Sequence, residues 1–470
     1  MISKVLLINR WLHQFATTKI ILIASLCIVT TLIPHDSLNE LYNNQYIRYA
    51  EFCFYDFLAE NPKSIIVPVY NAADLEQYIT NGLNFDGSSI RGCNRITNSD
   101  MLLMPDLSTP VRKIPWMYDH MSMIRIMCTM HQDKKTPYQA DPRAILQREL
   151  TKLHELGFDF YVGPELEFYI LDSKNAPIDS LSYTDAVKEL TTSNALITIM
   201  QVLNEMDLGV EKIHHEVGKG QFEVSLRKDN ALTIADAILI AKDSLQILGK
   251  NYNKKISFMP KPFAHKPGSG MHLNMSLYDI KKNQNAFYDA QDPHKLSTLG
   301  RQFLAGIIKH IPEITLILNP SINSYKRLGG HEAPKFICVG AKNRSALIRL
   351  PQAEQSETVR AEIRSPDAQS NPYMALAALL CAGMEGIKNQ YRLSELVEEN
   401  LYTISQDELI TRNIIQLPQT FQEALYEFER SSLMRELFGP VLFEAFVSYK
   451  QHELEDYQMS ITDWEWEHYL

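Results

Sequence analysis

The sequence predicts an α+β fold in two unequal parts: a small mixed sheet first, then a larger antiparallel sheet with helices packed on it. Two observations predict it. Short runs rich in aromatic and β-branched residues crowd positions 46–130, with one short helical segment among them. Beyond residue 142, strand-like runs at about 210–216, 221–227, 255–261 and 270–278 interleave with helix-period segments at about 185–206, 233–249, 295–310 and 371–391. No fixed-period repeat and no low-complexity tract interrupts this order.

Residues 1–35 stand apart as an apolar N-terminal extension. They carry Lys4, Arg10 and Lys19 and no acid, followed by an uncharged run from Ile20 to Pro34. Three readings stay open: an over-extended start, a secretory signal, or a short anchor. The run has 15 residues, short of the roughly 20 that span a bilayer. No methionine lies between Met1 and Met101, so a later start needs another codon.

The first folded part is expected over residues 38–132. Ser37–Asn44 reads as a short helix, Tyr46–Tyr55 and Ser64–Val69 as strands, and Asp74–Thr80 as a helical piece. Asn84–Ile90 is polar and carries Gly87, which reads as a loop. Met101–Asp106 follows, and a strand over Ile124–Met130 closes the unit. Lys134–Pro142 holds two prolines and reads as a linker, so the second part is expected over 138–470. Asp141 and Pro142 together form a helix start, an N-cap acid before a first-turn proline. Leu146, Leu150, Leu153 and Leu156 keep helical spacing, and Gly157 ends the helix. From Phe421 to Leu470 the pattern is mostly helical.

Composition narrows the function. There are 46 basic and 56 acidic residues, a net charge of −10, and no Lys/Arg block, which argues against nucleic-acid binding. The six cysteines are scattered with no C-x-x-C pair, so no zinc ribbon or disulfide framework is expected, and a reducing compartment, the cytoplasm, fits. The apolar N-terminal run leaves membrane tethering as the exception.

Four stretches carry chemistry. In Gly163-Pro-Glu-Leu-Glu-Phe-Tyr169, Glu165 and Glu167 are two apart, so on a strand both carboxylates share one face. Side by side in an apolar run they repel and are costly to desolvate, and a bound cation is the usual remedy. In His214-His-Glu-Val-Gly-Lys-Gly-Gln-Phe-Glu223, a glycine turn joins two strands and brings Glu216 and Glu223 within reach of one ion. In Pro267-Gly-Ser-Gly-Met-His272, glycines let backbone approach a ligand, and His272 offers a ring nitrogen at the start of a strand. Finally, Arg327, Arg344, Arg349, Arg360 and Arg364 recur in apolar, strand-like contexts with Glu362 among them, and guanidinium forks match carboxylates and phosphates. Carboxylates with one histidine suit Mg²⁺ or Mn²⁺. Two such ions with arginines describe phosphoryl transfer to an anionic acceptor.

Taken together these strings resemble the type I glutamine synthetase family. The matches are Phe85-Asp-Gly-Ser-Ser-Ile90, Gly163–Phe168, His214–Glu216 with Gly220–Glu223, Lys261-Pro262, Gly268–His272, Asn323-Ser-Tyr-Lys-Arg327, Asn343-Arg-Ser345, and Arg364-Ser-Pro-Asp367 with Asn371-Pro-Tyr373. They stand in the family's order. The resemblance implies a β-grasp-like N-terminal domain, a large antiparallel-sheet catalytic domain, and a homo-oligomer, a dodecamer with active sites between subunits. It implies ATP and two or three Mg²⁺ or Mn²⁺ ions as cofactors. Glu167, Glu216 and Glu223 would hold one ion; Glu165, His272 and Glu362 would hold another. Asp86 from a neighbouring subunit, with Tyr183 and Glu216, would hold and deprotonate ammonium. Gly268, Arg327 and Arg364 would hold glutamate, and Glu332 would be the flap acid that shields the intermediate. Arg344, Arg349 and Arg360 would face the phosphates, with Ser276 near the nucleotide.

The implied reaction is ATP-dependent ligation of ammonia to glutamate through γ-glutamyl phosphate. Pro267 and Phe222 depart from the family pattern and leave a γ-glutamylamine ligase, acting on a polyamine or small amine, as the alternative. A catalytically silent relative is the third reading; it predicts missing metal ligands, whereas all six ligand positions are filled.

Overall fold

The computed structural model describes residues 47–93, 99–116, 122–187, 190–330 and 332–470. Residues 1–35 and the helix expected at Ser37–Asn44 lie outside them.

The first sheet holds β1 (Ile47–Phe54), β2 (Lys63–Pro68), β3 (Leu83–Asp86), β4 (Asp100–Pro105), β5 (Arg112–Ile114), β6 (Ser122–Asp133) and β7 (Thr136–Pro137). The strand order is β2-β1-β6-β4-β3, with β5 and β7 paired onto β6. It is mixed, as expected: β1 runs parallel to β6 and antiparallel to β2. The helix Ala72–Asn81 is set by an Asn71 capping box with Asp74. Asn84–Asp86, expected in a loop, is instead strand paired with β4. The loop begins only at Gly87, where a short 3₁₀ turn follows.

The second sheet runs β15 (Val339–Ala341), β16 (Ile348–Leu350), β17 (Ala361–Ile363), β13 (Met271–Asp279), β8 (Phe158–Leu171), β10 (Gln221–Leu226), β9 (Val210–His215). Short β11 (Asp229–Asn230) and β12 (Lys255–Ser257) pair with β8, and β14 (Gln284–Asn285) with β13. All its pairings are antiparallel except β15 with β16. The run expected as strand to residue 261 stops at Ser257, just ahead of Pro260 and Pro262, which lack the N–H a ladder needs.

Helices cover one face of this sheet. Helix Pro142–Glu155 starts as its sequence requires: Asp141 accepts from Arg143 N–H at 2.9 Å, and Gly157 closes it with φ +91°. Leu146 and Leu153 are buried, but Leu156, which keeps the same spacing, is exposed at the C-cap. Asp185–Val187, expected to open a helix, are not helical, and helix Leu190–Glu205 lies beyond them. Helix Thr298–Leu318 runs past residue 310 through Pro312 and packs on Pro372–Lys388. The two approach so closely that a Cβ on Gly306 would meet the Ala382 carbonyl oxygen at 2.1 Å. The expected helical tail is Phe421–Glu429, Ser432–Met459, which is broken at Gly439–Pro440, and Asp463–Tyr469.

Buried ion pairs clamp the two sheets together. Arg143 reaches Asp236 at 2.9 Å and Asp106 at 2.6 Å, and Tyr373 donates to Asp236 at 2.7 Å. Arg125 on β6 bridges Glu51 at 2.7 Å and Asp243 at 2.8 Å. Each guanidinium is matched by two carboxylates, so neither charge is buried alone.

Candidate active site

The helix-covered face of the second sheet buries Leu166, Phe168, Phe222, Val224, Leu273 and Ile363. The other face carries the acids, because alternation along a strand sends every second residue there. Register then sets the acids in rows. Glu167 pairs with Glu223, and Glu223 with His214. In the next row Glu165 pairs with His272 on one side and Ser225 on the other, and Ser225 with Lys212. One step along β13, Asn274 pairs with Glu362, which pairs with Arg349.

Two groups of three donors result, each with ligand atoms within 4.8 Å of one another: Glu165, His272, Glu362, and His214, Glu216, Glu223. In the first, His272 Nδ1 is 3.5 Å from Glu165 and 3.7 Å from Glu362. In the second, His214 Nε2 is 3.1 Å from Glu216 and Nδ1 is 3.9 Å from Glu223. Among the described residues, His214 Nδ1 is buried with no hydrogen-bond partner. An orphaned ring nitrogen beside carboxylates is what an oxygen-and-nitrogen cation site presents.

The charges are held unequally. Burial works against the ionised Glu165, but the hydrogen bond and charge of His272 outweigh it and hold that carboxyl down at about 2. Burial, with Glu165 and Glu167 beside it, pushes Glu223 up. Glu362 is buried yet stays below the ordinary range because His272, Arg364 and Arg349 counter the desolvation. It accepts from Arg364 Nη1 at 2.5 Å and Arg349 Nη1 at 2.6 Å. Among the described residues, the Nε groups of both arginines are buried without a partner, leaving donors for an anion.

Family models for the catalytic domain and the beta-Grasp domain of glutamine synthetase match residues 139–469 and 46–133. The chain belongs to the glutamine synthetase family. It is 37% identical over 443 residues to glutamine synthetase of Staphylococcus aureus (strain MW2), covering 93% of this chain and 98% of the relative. With glutamine synthetase of Methanocaldococcus jannaschii the identity is 37% over 437 residues, covering 90% and 95%. Among solved structures, the GmaS/ADP complex superposes with a TM-score of 0.81 at 26% identity, covering 91% of this chain and 98% of that one. The chain is accordingly a ligase, its first sheet is the family's β-grasp domain, and its second is the glutamine synthetase catalytic sheet.

Within this glutamine synthetase fold, all but three of the residues singled out from the sequence line one cavity of about 260 Å³. Gly268 and Gly270 make room for it: a Cβ at Gly268 would meet the Pro260 carbonyl oxygen at 2.3 Å, and one at Gly270 would meet Arg327 Nη2 at 2.6 Å. Arg327, almost fully buried, donates to Ser365 O at 2.8 Å and Arg364 O at 3.2 Å. Tyr183 stands with its ring centroid 5.6 Å from that of His214. Glu332 sits at the rim in a left-handed conformation, φ +68°, with Arg344 3.8 Å away.

The three exceptions lie elsewhere. Asp86 is at the end of β3 in the other sheet, exposed, and accepts from Ser88 N and Oγ and Ser89 Oγ at 2.9, 2.6 and 2.7 Å, which lowers its pKa. Ser276 lies two residues beyond Asn274 on the acid face, outside the cavity. Arg360 also lies outside and binds Asn274 Oδ1 at 2.9 Å.

Two titratable cavity residues, His214 and Lys212, had no role in the sequence reading. His214 stands beside Glu216 and Glu223, the two acids expected to share an ion with Glu167. The Glu167 carboxylate turns to accept from Gly270 N–H at 2.7 Å and Gln221 Nε2 at 3.3 Å. Lys212 is the other: its ammonium is 3.3 Å from Glu223. Alternation from His214 along β9 was the signal that could have found it. Phe222 packs on the core face, with its ring 6.2 Å from Phe168, and does not line the cavity.

Proposed function

We propose that the chain ligates ammonia to the γ-carboxylate of glutamate with consumption of ATP, through γ-glutamyl phosphate. The observation that carries this reading is the acid face. Four glutamates and two histidines converge as two three-donor groups, with Glu167 beside them, in a cavity that also holds buried guanidinium donors.

The donors fit divalent cations, Mg²⁺ or Mn²⁺, because carboxylate oxygens with one imidazole per group suit both. Glu165, His272 and Glu362 would hold one ion, and Glu216, Glu223 and Glu167, with His214, a second; a third is compatible with the same acids. Bound ions supply neutralisation of the charge on the transferred phosphoryl.

The chain's own groups do the rest. Arg327, Arg364 and the Gly268 backbone orient glutamate. Arg344, Arg349 and Arg360 face the phosphates, and Ser276 lies toward the nucleotide. Glu362 fixes the Arg349 and Arg364 forks before substrate arrives, so little reorganisation is left for the transition state. Tyr183 and Glu216, completed by Asp86 of the partner subunit, attract ammonium and take its proton. Glu332 at the rim excludes water. The position of Asp86, exposed on the other sheet, supports a ring assembly, a dodecamer, in which it serves a neighbour. The reading places the enzyme in the cytoplasm. Among the described residues, no helix is long and apolar enough to cross a membrane.

Pro267, which lines the cavity and offers no side-chain donor, favours a second reading: the same chemistry with an organic amine as acceptor. One experiment separates the two. Phosphate release by the full chain with ATP, Mg²⁺ and glutamate is measured against ammonia, methylamine, ethanolamine and putrescine. Turnover with ammonia is expected; turnover with organic amines alone would sink the first reading, and none with any amine would sink both.

A further inference from the structure

His215 is buried, its side chain 0% exposed, and nothing in the proposed reaction uses it. On β9 it faces away from His214, toward the core side of the sheet. There it pairs with Phe222, and the two rings meet edge to face with centroids 4.7 Å apart. Both ring nitrogens are engaged. Nδ1 lies 2.6 Å from the Glu216 carbonyl oxygen, and Nε2 lies 2.9 Å from Asp179 Oδ1. Asp179 belongs to the loop after β8. The same carboxylate oxygen accepts from Gly220 N–H, in the turn between β9 and β10, at 2.9 Å, and from Leu181 N–H at 3.2 Å. One side chain thus lays the loop along the hairpin.

That loop carries Tyr183. Ser182 to Asp185 form a turn in which Asp185 N–H donates to Ser182 O at 2.9 Å and Ser182 N–H donates to Asp185 Oδ2 at 2.9 Å. Within the turn Thr184 has φ +58°, a left-handed conformation that a β-branched residue keeps only where its surroundings enforce it. Thr184 N–H donates back to His215 O at 3.0 Å. Tyr183 itself is 48% exposed, so the turn holds it more than its own burial does. His215 is therefore the point where both groups assigned to the acceptor amine are tied: Glu216 through its carbonyl, and Tyr183 through Asp179 and Thr184.

We propose that Asp179 is a positioning residue for the acceptor amine: through His215, seated on Phe222, it fixes the turn that holds Tyr183 at the cavity, and it sets acceptor binding without touching the acceptor. The proposal rests on the acceptor site described above. Removing the carboxylate frees the loop from His215 and from Gly220 together, and lets Thr184 relax out of its left-handed state. A misplacement of about 1 Å in a positioned group costs up to ~100-fold, so a tyrosine on a loosened turn is expected to lose about tenfold in acceptor binding.

The test is steady-state phosphate release by the full chain, with ammonia, glutamate and ATP varied in turn while the other two are saturating. If the wild-type chain uses an organic amine, that amine takes the place of ammonia. Asp179→Ala should raise the acceptor KM about tenfold and leave the KM values for glutamate and ATP within about twofold of wild type. Asp179→Asn, which keeps an acceptor for Gly220 N–H and the His215 ring, should recover most of the loss. In a Tyr183→Phe background Asp179→Ala should cost little more, because the two act through one group. Asp179→Ser, polar but too short to reach both partners, gives the same reading if the alanine variant does not fold. Equal rises in all three KM values, a loss confined to kcat, or a full further loss in the Tyr183→Phe background would each overturn the proposal while leaving the ligase reading standing. No turnover by the wild-type chain with any amine would overturn the ligase reading, and the positioning of its acceptor with it.

Discussion

Glu362→Ala should lower the thermal stability of the metal-free protein sharply. Glu362 is 2% exposed and carries two charge-assisted hydrogen bonds, to Arg364 at 2.5 Å and Arg349 at 2.6 Å. Bonds of this kind contribute about 1.5–3 kcal/mol each, and stripping one partner from a buried pair costs roughly 3–5 kcal/mol. Two features place the expectation at the lower end, about 3 kcal/mol by the same scale. Arg349 is 23% exposed and regains water, and the lost carboxylate relieves repulsion with Glu165. Arg364 carries most of the cost: at 2% exposure it keeps one bond, to Glu332 O at 3.2 Å, and its Nε has none. At roughly 1–1.5 °C per kcal/mol for a chain of this length, Tm should fall by about 3–5 °C. Calorimetry in EDTA is the assay, so that cation binding does not enter. Glu362→Gln, which keeps an acceptor, should fall less, and Glu362→Ala with Arg349→Ala should lose less than the sum of the two. A Tm for Glu362→Ala within about 1 °C of wild type would refute the pairing energetics.

Other expectations concern assembly and packing. If Asp86 completes a neighbour's site, co-expressed Asp86→Ala and Glu165→Ala chains should regain phosphate release that neither has alone; absence of complementation in mixed oligomers would place Asp86 outside the reaction. Burial presses Lys242 down to about 8 from 10.5, with Asp367 and Glu60 opposing. A depressed ammonium contributes stability above pH 10.5 that is lost as pH falls through about 8, so Lys242→Met should raise Tm most below pH 8 and hardly at all above pH 10.5. An equal gain at pH 7 and pH 11 would count against this. Gly306→Ala forces a Cβ to within 2.1 Å of the Ala382 carbonyl oxygen and should cost about 2–3 kcal/mol, read as a lowered Tm; a neutral result would mean that the two helices separate freely.

Much of the site was legible from local pattern. Two glutamates two apart in an apolar run have one face to share, and β8 holds them so. The glycine turn between Glu216 and Glu223 has one compact solution, a hairpin, and β9 and β10 form it. His272 at a strand start follows from the glycines before it. The misreadings occurred where a distant element decides. Leu156 keeps the helical period but falls at the C-cap, where no neighbour covers it. Asn84–Asp86 looks like loop by composition and becomes strand because β4 supplies the ladder.

The sequence by itself determined the inventory: which residues could bind cations, which could bind anions, and which strands carry them, since those properties follow from residue chemistry and a period of two. The partners were decided only by the tertiary structure. Glu223 between Glu167 and His214, Glu167 turned to the Gly270 amide, Glu362 beside Arg349 and Lys212 on Glu223 all arise from registers between strands, some as far apart in sequence as β8 and β13. Register is a property of pairs of strands, set by which faces can be buried together. No stretch of a single strand contains it.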